Sequence, residues 1–513
     1  MKVSHFIRLK PLQSFVFEAK PVFTTVFWKR GQARGSLEFR PRCAIVGSVP
    51  VPYFIQLDQV TFWDTETAPK GQYDVWDDTP APGGIAQKFS TEHGTNQWQE
   101  PNPSATDDLH KQGWTDPICY SSGSTMTAFV QFKVPAGSSS MWSGFTNMKI
   151  KGVGLSDPGE ADNSAGYNFT NTDGNGYTAV YKSTNNTITA NVSGMTCSQV
   201  FPSGAVDYFG PMTIQWYISV DGGNTWSLVN KSKDECFVTL NTPNLTPTVT
   251  FNDGTTGPDP NYRLFQTVLH YACSNFGATT PDTAVANTWA LFSGPQNICA
   301  WNPTDKSYDK KLYYYKTGQT SAKPVTTSAL LAATDGNGEC YAFGQLFQDA
   351  LWANGVSSSG VVITPKDFPA VSKAFLVKDW TFTEPGTFST SPPFSYEMLV
   401  DSTGDMVPAP SSATTYGTYG DMINLQTHLG QNTAPPSEKL FGNHYIVSYG
   451  STYYDPSYGV TYTSAQDFEN KSVAGYAEIL ATDNPSPSST IILRVRKSDG
   501  LDNILFTPNN QPH

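Results

Sequence analysis

The sequence is poor in charged side chains, which account for 15% of its 513 residues. Aromatic residues reach 13%, and Gly (42) and Pro (37) are abundant, a composition typical of β-rich surface or secreted proteins rather than helical cytosolic enzymes. The net charge of −12 argues against nucleic-acid binding by the chain as a whole. No apolar run approaches the roughly 18 residues that a membrane span requires. We therefore expect a soluble protein without a membrane span.

Several catalytic and metal-binding motifs are also missing. The chain has no Walker or Rossmann glycine pattern and no HExxH, so phosphoryl transfer, nicotinamide chemistry and zincin chemistry are not expected. Cysteine is sparse and forms no CxxC pair, which argues against zinc-ribbon and thioredoxin-like sites. No cofactor or metal is predicted. The odd cysteine count fits up to three disulfides plus one free thiol; the seven cysteines are 43, 119, 197, 236, 273, 299 and 340.

Positive charge is concentrated in the first 42 residues. This segment has nine Lys/Arg against two Glu, about +7, which leaves about −19 for the rest of the chain. Its apolar residues are interrupted by Pro and charge, so it matches no standard signal-peptide core. One interpretation of residues 1–50 is a poorly ordered basic arm. The other is self-assembly, in which residues 1–42 pair with an acidic surface by strand addition.

Residues 51–255 show the pattern of β structure. Short alternating segments separated by Gly, Pro and Asp turns predict a β domain over 51–155 and a second over 156–255, both sandwich-like. In the second, Ser219-Val-Asp-Gly-Gly-Asn-Thr-Trp226 matches an Asp-box hairpin, in which Asp221 binds backbone N–H groups within the turn. A sialidase-like propeller would repeat this box in every blade. A single copy favours a structural turn, and a carbohydrate-binding β protein is the more distant alternative.

Helical periodicity begins after residue 260 and indicates an α+β region over 256–513. Helices are predicted at 261–276, at 281–292 and at 340–354, where Gly355 is the expected cap. Strands are predicted mainly toward the C-terminus, and the Ser/Pro/Thr/Gly-rich stretch 384–437 is predicted to be a long loop. The predicted strands are 361–363, 374–380, 445–448, 452–454 and 490–495. The whole chain is thus predicted to be multidomain and mainly β.

Three residues of this C-terminal region form a candidate catalytic site. Cys340 opens a predicted buried helix, where unpaired N–H groups and the helix dipole favour a thiolate over a thiol. His444 and Asp455 lie on two predicted strands joined by a turn at residues 450–451, eleven residues apart. A carboxylate bound to one imidazole nitrogen would orient the ring toward a thiol at the other. Each residue alone also fits a plainer interpretation: a core thiol, a surface histidine and a turn aspartate.

Residues 260–480 resemble the transglutaminase-like superfamily of papain-type cysteine enzymes. The matching motifs are Gly338-Glu-Cys340-Tyr-Ala-Phe at a helix start, a strand beginning Asn443-His444-Tyr-Ile-Val, and Tyr454-Asp455-Pro456 on the next strand. The resemblance implies an α+β, cysteine-protease-like fold over 256–513. It also implies Cys340 as nucleophile, His444 as its base and Asp455 as the residue that orients His444.

The resemblance further implies acyl transfer from protein or peptide amides, by hydrolysis or transamidation. Such enzymes use a second oxyanion donor upstream of the cysteine, for which Gln296 and Gln319 are candidates. The alternative is a structural or filament subunit whose triad is vestigial. Sequons favour an extracellular or cell-surface glycoprotein; they begin at Asn168, Asn185, Asn191, Asn230, Asn244 and Asn470.

Overall fold

The structure of this chain is a computed structural model that describes part of its residues. The basic arm predicted over residues 1–50, with Cys43, lies outside the described residues, as do Gln296 and Gln319. The described ranges are 55–62, 72–78, 98–99, 114–135, 137–155, 164–190, 194–273, 276–294, 298–302, 307–316, 323–366, 372–378, 380–382, 395–400, 406–407, 423–425, 429–433, 440–480, 491–497 and 503–513.

Twelve strands between residues 56 and 239 form one curled sheet. They are β1 (Gln56–Thr61), β2 (Gln72–Tyr73), β3 (Trp98–Gln99), β4 (Trp114–Thr115), β5 (Ile118–Ser121), β6 (Thr125–Lys133), β7 (Lys149–Gly154), β8 (Tyr177–Lys182), β9 (Thr187–Ala190), β10 (Met195–Val200), β11 (Asp207–Ser219) and β12 (Ser227–Thr239). Their order is β2-β5-β12-β11-β7-β8-β9-β6-β1-β3-β4, with β10 paired to β6. Strands from both predicted segments, 51–155 and 156–255, therefore share hydrogen bonds. A short helix, α1 (Ser139–Trp142), lies between β6 and β7.

The two faces of this sheet contribute to two different hydrophobic cores. Along β6, every second residue is buried, as period-two alternation requires. The enclosed core contains apolar side chains such as Phe132, Trp216 and Val238. On the opposite face of β5 and β12, Cys119 and Phe237 belong to the core of the C-terminal half. The sheet is thus shared between both cores.

The expectation of up to three disulfides is wrong for the cysteines that the structure describes. All six of them are free thiols, namely Cys119, Cys197, Cys236, Cys273, Cys299 and Cys340. The strand register explains one pairing that fails: Cys119 lies opposite Phe237 and Cys236 opposite Ile118. Since neighbouring residues of a strand point to opposite faces, Cys119 and Cys236 are on different sides of the sheet.

Five helices lie in the C-terminal half of the described chain: α2 (Gln266–Cys273), α3 (Pro281–Phe292), α4 (Thr327–Ala332), α5 (Cys340–Ala353) and α6 (Ala465–Ser472). The predicted helices correspond to α2, α3 and α5 and are confirmed within a few residues. At α3, Thr280 and Thr283 form a reciprocal capping box and Pro281 occupies the first turn. At α5, Gly355 adopts φ +65° directly after the helix, as a C′ cap requires.

Two further sheets accompany these helices and contain the predicted C-terminal strands, except that the strand predicted over 374–380 ends at Val377 and a separate strand begins at Trp380. The first has the order β28-β27-β26-β19-β31, with β19 (Ser359–Pro365), β26 (His444–Tyr449), β27 (Thr452–Asp455), β28 (Val460–Tyr462) and β31 (Ile504–Pro508). The second has the order β23-β22-β30-β29-β20-β25, with β20 (Ser372–Val377), β22 (Ser395–Val400), β23 (Met406–Val407), β25 (Leu440–Phe441), β29 (Val473–Leu480) and β30 (Ile491–Lys497).

The remaining strands form two-stranded pairs. These pairs are β13 (Thr248–Thr250) with β14 (Thr256–Pro258), β15 (Cys299–Asn302) with β16 (Ser307–Lys311), β17 (Tyr313–Tyr314) with β18 (Asn337–Gly338), and β21 (Trp380–Phe382) with β24 (Ile423–Leu425). The prediction of one long loop over 384–437 is wrong, since β22, β23 and β24 lie within it. The alternation of Tyr396, Met398 and Val400 was hidden by the Pro- and Ser-rich flanks. The prediction of a mainly β protein is confirmed.

Candidate active site

Cys340 lies at the first residue of α5, as the sequence predicted. Glu339 is the N-cap residue, but its side chain makes no capping hydrogen bond to the first turn. The positive end of the helix dipole is therefore not neutralised by such a cap, which favours an anion at this position. The side chain of Cys340 is 2% exposed. The Cys340 thiol is thus buried at the N-terminus of α5.

The chain reaches Cys340 through a tight loop paired with an upstream strand. Strand β18, at Asn337–Gly338, runs parallel to β17, with Gly338 opposite Tyr314. Gly336 has φ +63°, and a Cβ at this residue would collide with the carbonyl oxygen of Lys311. The Asn337 side chain accepts a hydrogen bond from the backbone N–H of Lys316 (2.7 Å). These contacts fix the start of α5 against residues 311–316.

His444 and Asp455 are brought together by the hairpin of β26 and β27. The register pairs Val447 with Tyr454, which places Asp455 opposite Ile446, and the turn uses Gly450 at φ +59°. His444 precedes Ile446 by two residues and therefore shares its face with Asp455 as a diagonal neighbour. The distance from His444 Nε2 to Asp455 Oδ2 is 2.8 Å. The predicted hairpin at this turn is confirmed.

The Asp455 carboxylate is fully buried and held by three neighbours. Besides His444, it accepts hydrogen bonds from the backbone N–H of Ser457 (3.1 Å, to Oδ1) and from the Tyr462 hydroxyl (3.3 Å, to Oδ2). The hydroxyls of Tyr462 and Ser472 are 2.6 Å apart. Buried carboxylates require such donors to remain ionised. Tyr462 was not identified from the sequence, because no local pattern links it to Asp455.

The electrostatics of His444 are set by the two residues predicted beside it. Burial lowers the pKa of the imidazole, but the Asp455 carboxylate and the Cys340 side chain together raise it to about 10. His444 Nδ1 makes no hydrogen bond of ordinary geometry. Cys340 nevertheless contributes to the raised pKa of the ring. Cys340 thus lies close enough to influence the His444 ring, and no hydrogen bond joins its thiol to Nδ1. Catalytic hydrogen bonds are often poorly aligned before substrate binds.

Aromatic rings restrict the orientation of the His444 imidazole. Phe468 stacks on it with 6.2 Å between ring centroids and an interplanar angle of 27°. Phe441 and Tyr458 flank the ring at 6.0 and 5.8 Å. Such contacts exclude water and strengthen the interaction between imidazole and carboxylate.

Two glycines allow α5 and β19 to approach the strand that carries His444. A Cβ at Gly344 of α5 would collide with the ring of Tyr445, and one at Gly360 of β19 would collide with its hydroxyl. The Tyr445 hydroxyl donates to Gln348 Oε1 (3.0 Å), and the Tyr445 ring stacks on Tyr341 at 4.9 Å. Tyr445 thus joins β26 to α5. Because His444 precedes Tyr445 on β26 and Cys340 begins α5, this contact fixes the separation between the two elements that carry them.

A second histidine–carboxylate cluster lies on the same helix and was not predicted. His513 Nε2 is 2.8 Å from Asp349 Oδ1, and His513 Nδ1 is 2.9 Å from Asp259 Oδ2. Gln345 Nε2 donates to the carbonyl oxygens of Gln511 (3.2 Å) and Pro512 (3.0 Å). Residues 510–513 therefore hold the polar side of α5. The only indication of this cluster in the sequence is the presence of polar residues, such as Gln345 and Asp349, in an otherwise apolar helix.

The Asp-box residues form the structural turn that the sequence favoured. Asp221 accepts hydrogen bonds from the Ser219 hydroxyl (2.7 Å) and from the backbone and hydroxyl of Thr225 (2.9 and 2.6 Å). Lys151 Nζ lies 4.3 Å from the centre of the Trp226 ring. The hydrogen bonds from Thr225 lower the pKa of Asp221 to about 2.

Among the described ranges, no group of three or more His, Cys, Asp or Glu side chains is arranged to hold a metal ion. Within the same ranges, no helix has both the length and the apolar character of a membrane span. No protein-family model and no curated protein matches this chain.

Proposed function

We propose that this protein is a cysteine acyl-transfer enzyme of the transglutaminase-like type, acting on protein or peptide amides through Cys340, His444 and Asp455. The observation that carries the proposal is the buried His444–Asp455 pair at 2.8 Å, with the other ring nitrogen left to a thiol at a helix N-terminus. A carboxylate, an imidazole and a thiol in that order are the components of nucleophilic catalysis by cysteine. Hydrolysis and transamidation both remain within the proposal.

The proposed reaction has two halves. The Cys340 thiolate attacks the acyl carbonyl carbon, and the C=O electron pair moves to oxygen. The intermediate collapses to a thioester, and the leaving amine takes its proton from the His444 imidazolium. Water or a second amine then attacks the thioester carbonyl and gives its proton to His444. The resulting intermediate collapses, the carbon–sulfur bond breaks, and the acid or amide product leaves together with a regenerated Cys340 thiolate. Asp455 stabilises the imidazolium throughout and fixes which nitrogen faces the thiol.

A second candidate function is favoured by the burial of the site. Cys340 and His444 are each 2% exposed, as expected for a structural network that no substrate enters. The chain would then be a surface or filament subunit with a vestigial site and an assembly arm at residues 1–42. Light scattering distinguishes this candidate. A subunit that assembles through the arm loses chains per particle when residues 1–42 are deleted, whereas an independent enzyme keeps its assembly state.

Alkylation by iodoacetamide at pH 7 tests the proposed function. We expect the folded protein to be labelled at Cys340 faster than at the half-buried Cys299, with the sites assigned by peptide mapping. Cys340→Ala should remove the fast phase, and Cys299→Ala should leave it unchanged. A fast phase that persists in Cys340→Ala would exclude Cys340 as the reactive thiol. Labelling of Cys340 only after denaturation would favour the structural candidate.

A further inference from the structure

The hydroxyl of Tyr314 is a buried polar group without a hydrogen-bond partner. The side chain is fully buried, and its oxygen contacts no donor or acceptor within hydrogen-bond limits. Native proteins pair nearly all buried polar groups, so an exception near reactive groups requires an explanation. Phe would fill the same space without an orphaned hydroxyl. A tyrosine at this position therefore indicates a partner that arrives with a ligand.

The backbone places Tyr314 beside the proposed nucleophile. Tyr314 lies opposite Gly338, two residues before Cys340, in the β17–β18 pair. Its ring contacts Tyr458 edge-on at 4.9 Å and lies parallel to Phe441 at 6.5 Å. Both of these rings also flank His444. The Tyr314 ring thus packs against two of the rings that flank the His444 imidazole, and its hydroxyl lies near enough to Cys340 for the thiol to influence it.

The electrostatic surroundings keep this hydroxyl protonated. Burial, followed by the neighbouring Tyr458 and Cys340, raises the pKa of Tyr314 well above its ordinary range. A protonated phenol is a hydrogen-bond donor, and it carries no charge that would oppose a thiolate. Other tyrosines near the site already donate elsewhere: Tyr315 to Glu339 Oε2 (3.2 Å) and Tyr462 to Asp455.

We propose that Tyr314 is a catalytic residue whose hydroxyl donates a hydrogen bond to the oxyanion formed when Cys340 attacks the acyl carbonyl. This inference rests on the proposed acyl-transfer function. The attack forms a carbon–sulfur bond and places the carbonyl electron pair on oxygen, so the oxygen gains charge and accepts more strongly. When the intermediate collapses, the pair returns to the carbonyl and the hydrogen bond weakens. Donors placed for the charged oxygen accelerate the reaction because they act most strongly in the transition state.

Two reactions of the Cys340 thiol distinguish a hydrogen-bond donor to the oxyanion from a residue that merely makes the thiol more reactive. Alkylation by iodoacetamide displaces iodide at a saturated carbon and forms no oxyanion, whereas acylation by a p-nitrophenyl ester forms one. We expect Tyr314→Phe to slow acylation of Cys340 by roughly 10²- to 10³-fold, the loss typical of an oxyanion donor. Its alkylation rate should stay at the wild-type value. Tyr313→Phe is the matched control, because Tyr313 precedes Tyr314 and points to the opposite face of β17. Both of its rates should be unchanged.

Two results would overturn the assignment of Tyr314: wild-type acylation in Tyr314→Phe, or an equal loss of acylation and alkylation. Replacement of Tyr314 by 3-fluorotyrosine keeps the hydroxyl and should retain acylation, which separates loss of the donor from misfolding. A failure of the proposed function is recognisable separately in the wild type. There, neither reagent would modify Cys340, and the inference about Tyr314 would be withdrawn together with that function.

Discussion

Two buried histidines of this protein are held by carboxylates, and the contrast between them defines their roles. His513 uses both ring nitrogens, one on Asp259 and one on Asp349, and its pKa is raised to about 9. His444 uses one nitrogen on Asp455 and leaves the other to the region of Cys340. An imidazolium whose two N–H groups are both hydrogen-bonded to carboxylates has no nitrogen free for a ligand, so its role is to stabilise the fold. An imidazole with one uncommitted nitrogen can exchange a proton with a ligand.

Asp455→Asn tests the carboxylate behind His444. The amide cannot stabilise an imidazolium as a carboxylate does, while burial continues to disfavour the charged ring. We expect the pKa of His444 to fall from about 10 to below its ordinary value near 6.5, and acylation of Cys340 to slow on the order of 10²- to 10⁴-fold. NMR titration of the imidazole and stopped-flow acylation measure the two effects.

The control for this change is Asp253→Asn, the same substitution on an exposed turn, which should leave both quantities unchanged. An Asp455→Asn variant that acylates at the wild-type rate would contradict the role of the carboxylate.

The His513 cluster predicts a pH dependence of stability. In the unfolded chain a histidine titrates near 6.5. In the folded chain, burial lowers the pKa of His513, but the carboxylates of Asp349 and Asp259 more than offset this effect and raise the pKa to about 9. The folded protein therefore holds a proton that the unfolded chain releases. The stabilisation is complete below pH 6.5 and is lost as pH rises through 9. Its size is about 3 kcal/mol at 1.36 kcal/mol per pKa unit.

Urea unfolding of the wild type and His513→Gln at pH 6 and pH 9.5 measures this contribution. The difference in unfolding free energy between the two proteins should shrink at the higher pH. The other titrating groups, His444 included, are common to both proteins and cancel in the comparison. An equal difference at both pH values would show that His513 stabilises the fold without its charge.

At the scale of elements, α5 is the structural centre of the C-terminal half. Every residue of this helix except Tyr341 is buried. Its apolar side chains belong to the main core, while Gln345, Gln348 and Asp349 are satisfied by Thr327, Tyr445 and residues 510–513. A helix enclosed on all sides keeps the position of its first residue well defined. The proposed role of Cys340 as nucleophile requires this property.

Gly344→Ala tests the contact between α5 and β26. Alanine raises helix propensity by up to about 1 kcal/mol, but its methyl group collides with the Tyr445 ring. Overpacking of this kind costs about 1–3 kcal/mol, so the net effect should be destabilising. Acylation should also slow, because His444 lies next to Tyr445. Thermal unfolding and acylation rates provide the measurements.

Gly257→Ala is the control for this substitution, since a Cβ there would make only an ordinary 3.5 Å contact with Phe251. A fully stable Gly344→Ala variant with wild-type acylation would show that the close approach of Tyr445 is not needed.

Local sequence patterns predicted the helices and strands of this chain better than they predicted the contacts between them. Pro281 and Asp282 at its start located α3, and the apolar period with Gly355 located α5, because start signals, caps and periodicity are local. Strands β22 to β24 were missed within a stretch rich in Pro and Ser. The hairpin of His444 and Asp455 was predictable because its turn and alternation are contiguous in sequence.

At the scale of the whole molecule, the contacts that sequence reasoning missed are long-range. Tyr314 meets Gly338, and His513 meets Asp259 across 254 residues, and neither pairing leaves a periodic trace in the sequence. The sharing of one twelve-stranded sheet by segments on both sides of residue 155 was missed for the same reason. Free cysteines on opposite faces of that sheet likewise follow from register, which composition does not determine.

The most direct test of the account is to trap the acyl-enzyme. The full chain is mixed with an excess of a p-nitrophenyl acyl ester, quenched in acid within seconds, and analysed by intact mass and peptide mapping. We expect one acyl group on Cys340 in the wild type, slower formation in His444→Ala and none in Cys340→Ala. No adduct, or an adduct on another residue such as Cys299, would contradict the proposed role of Cys340.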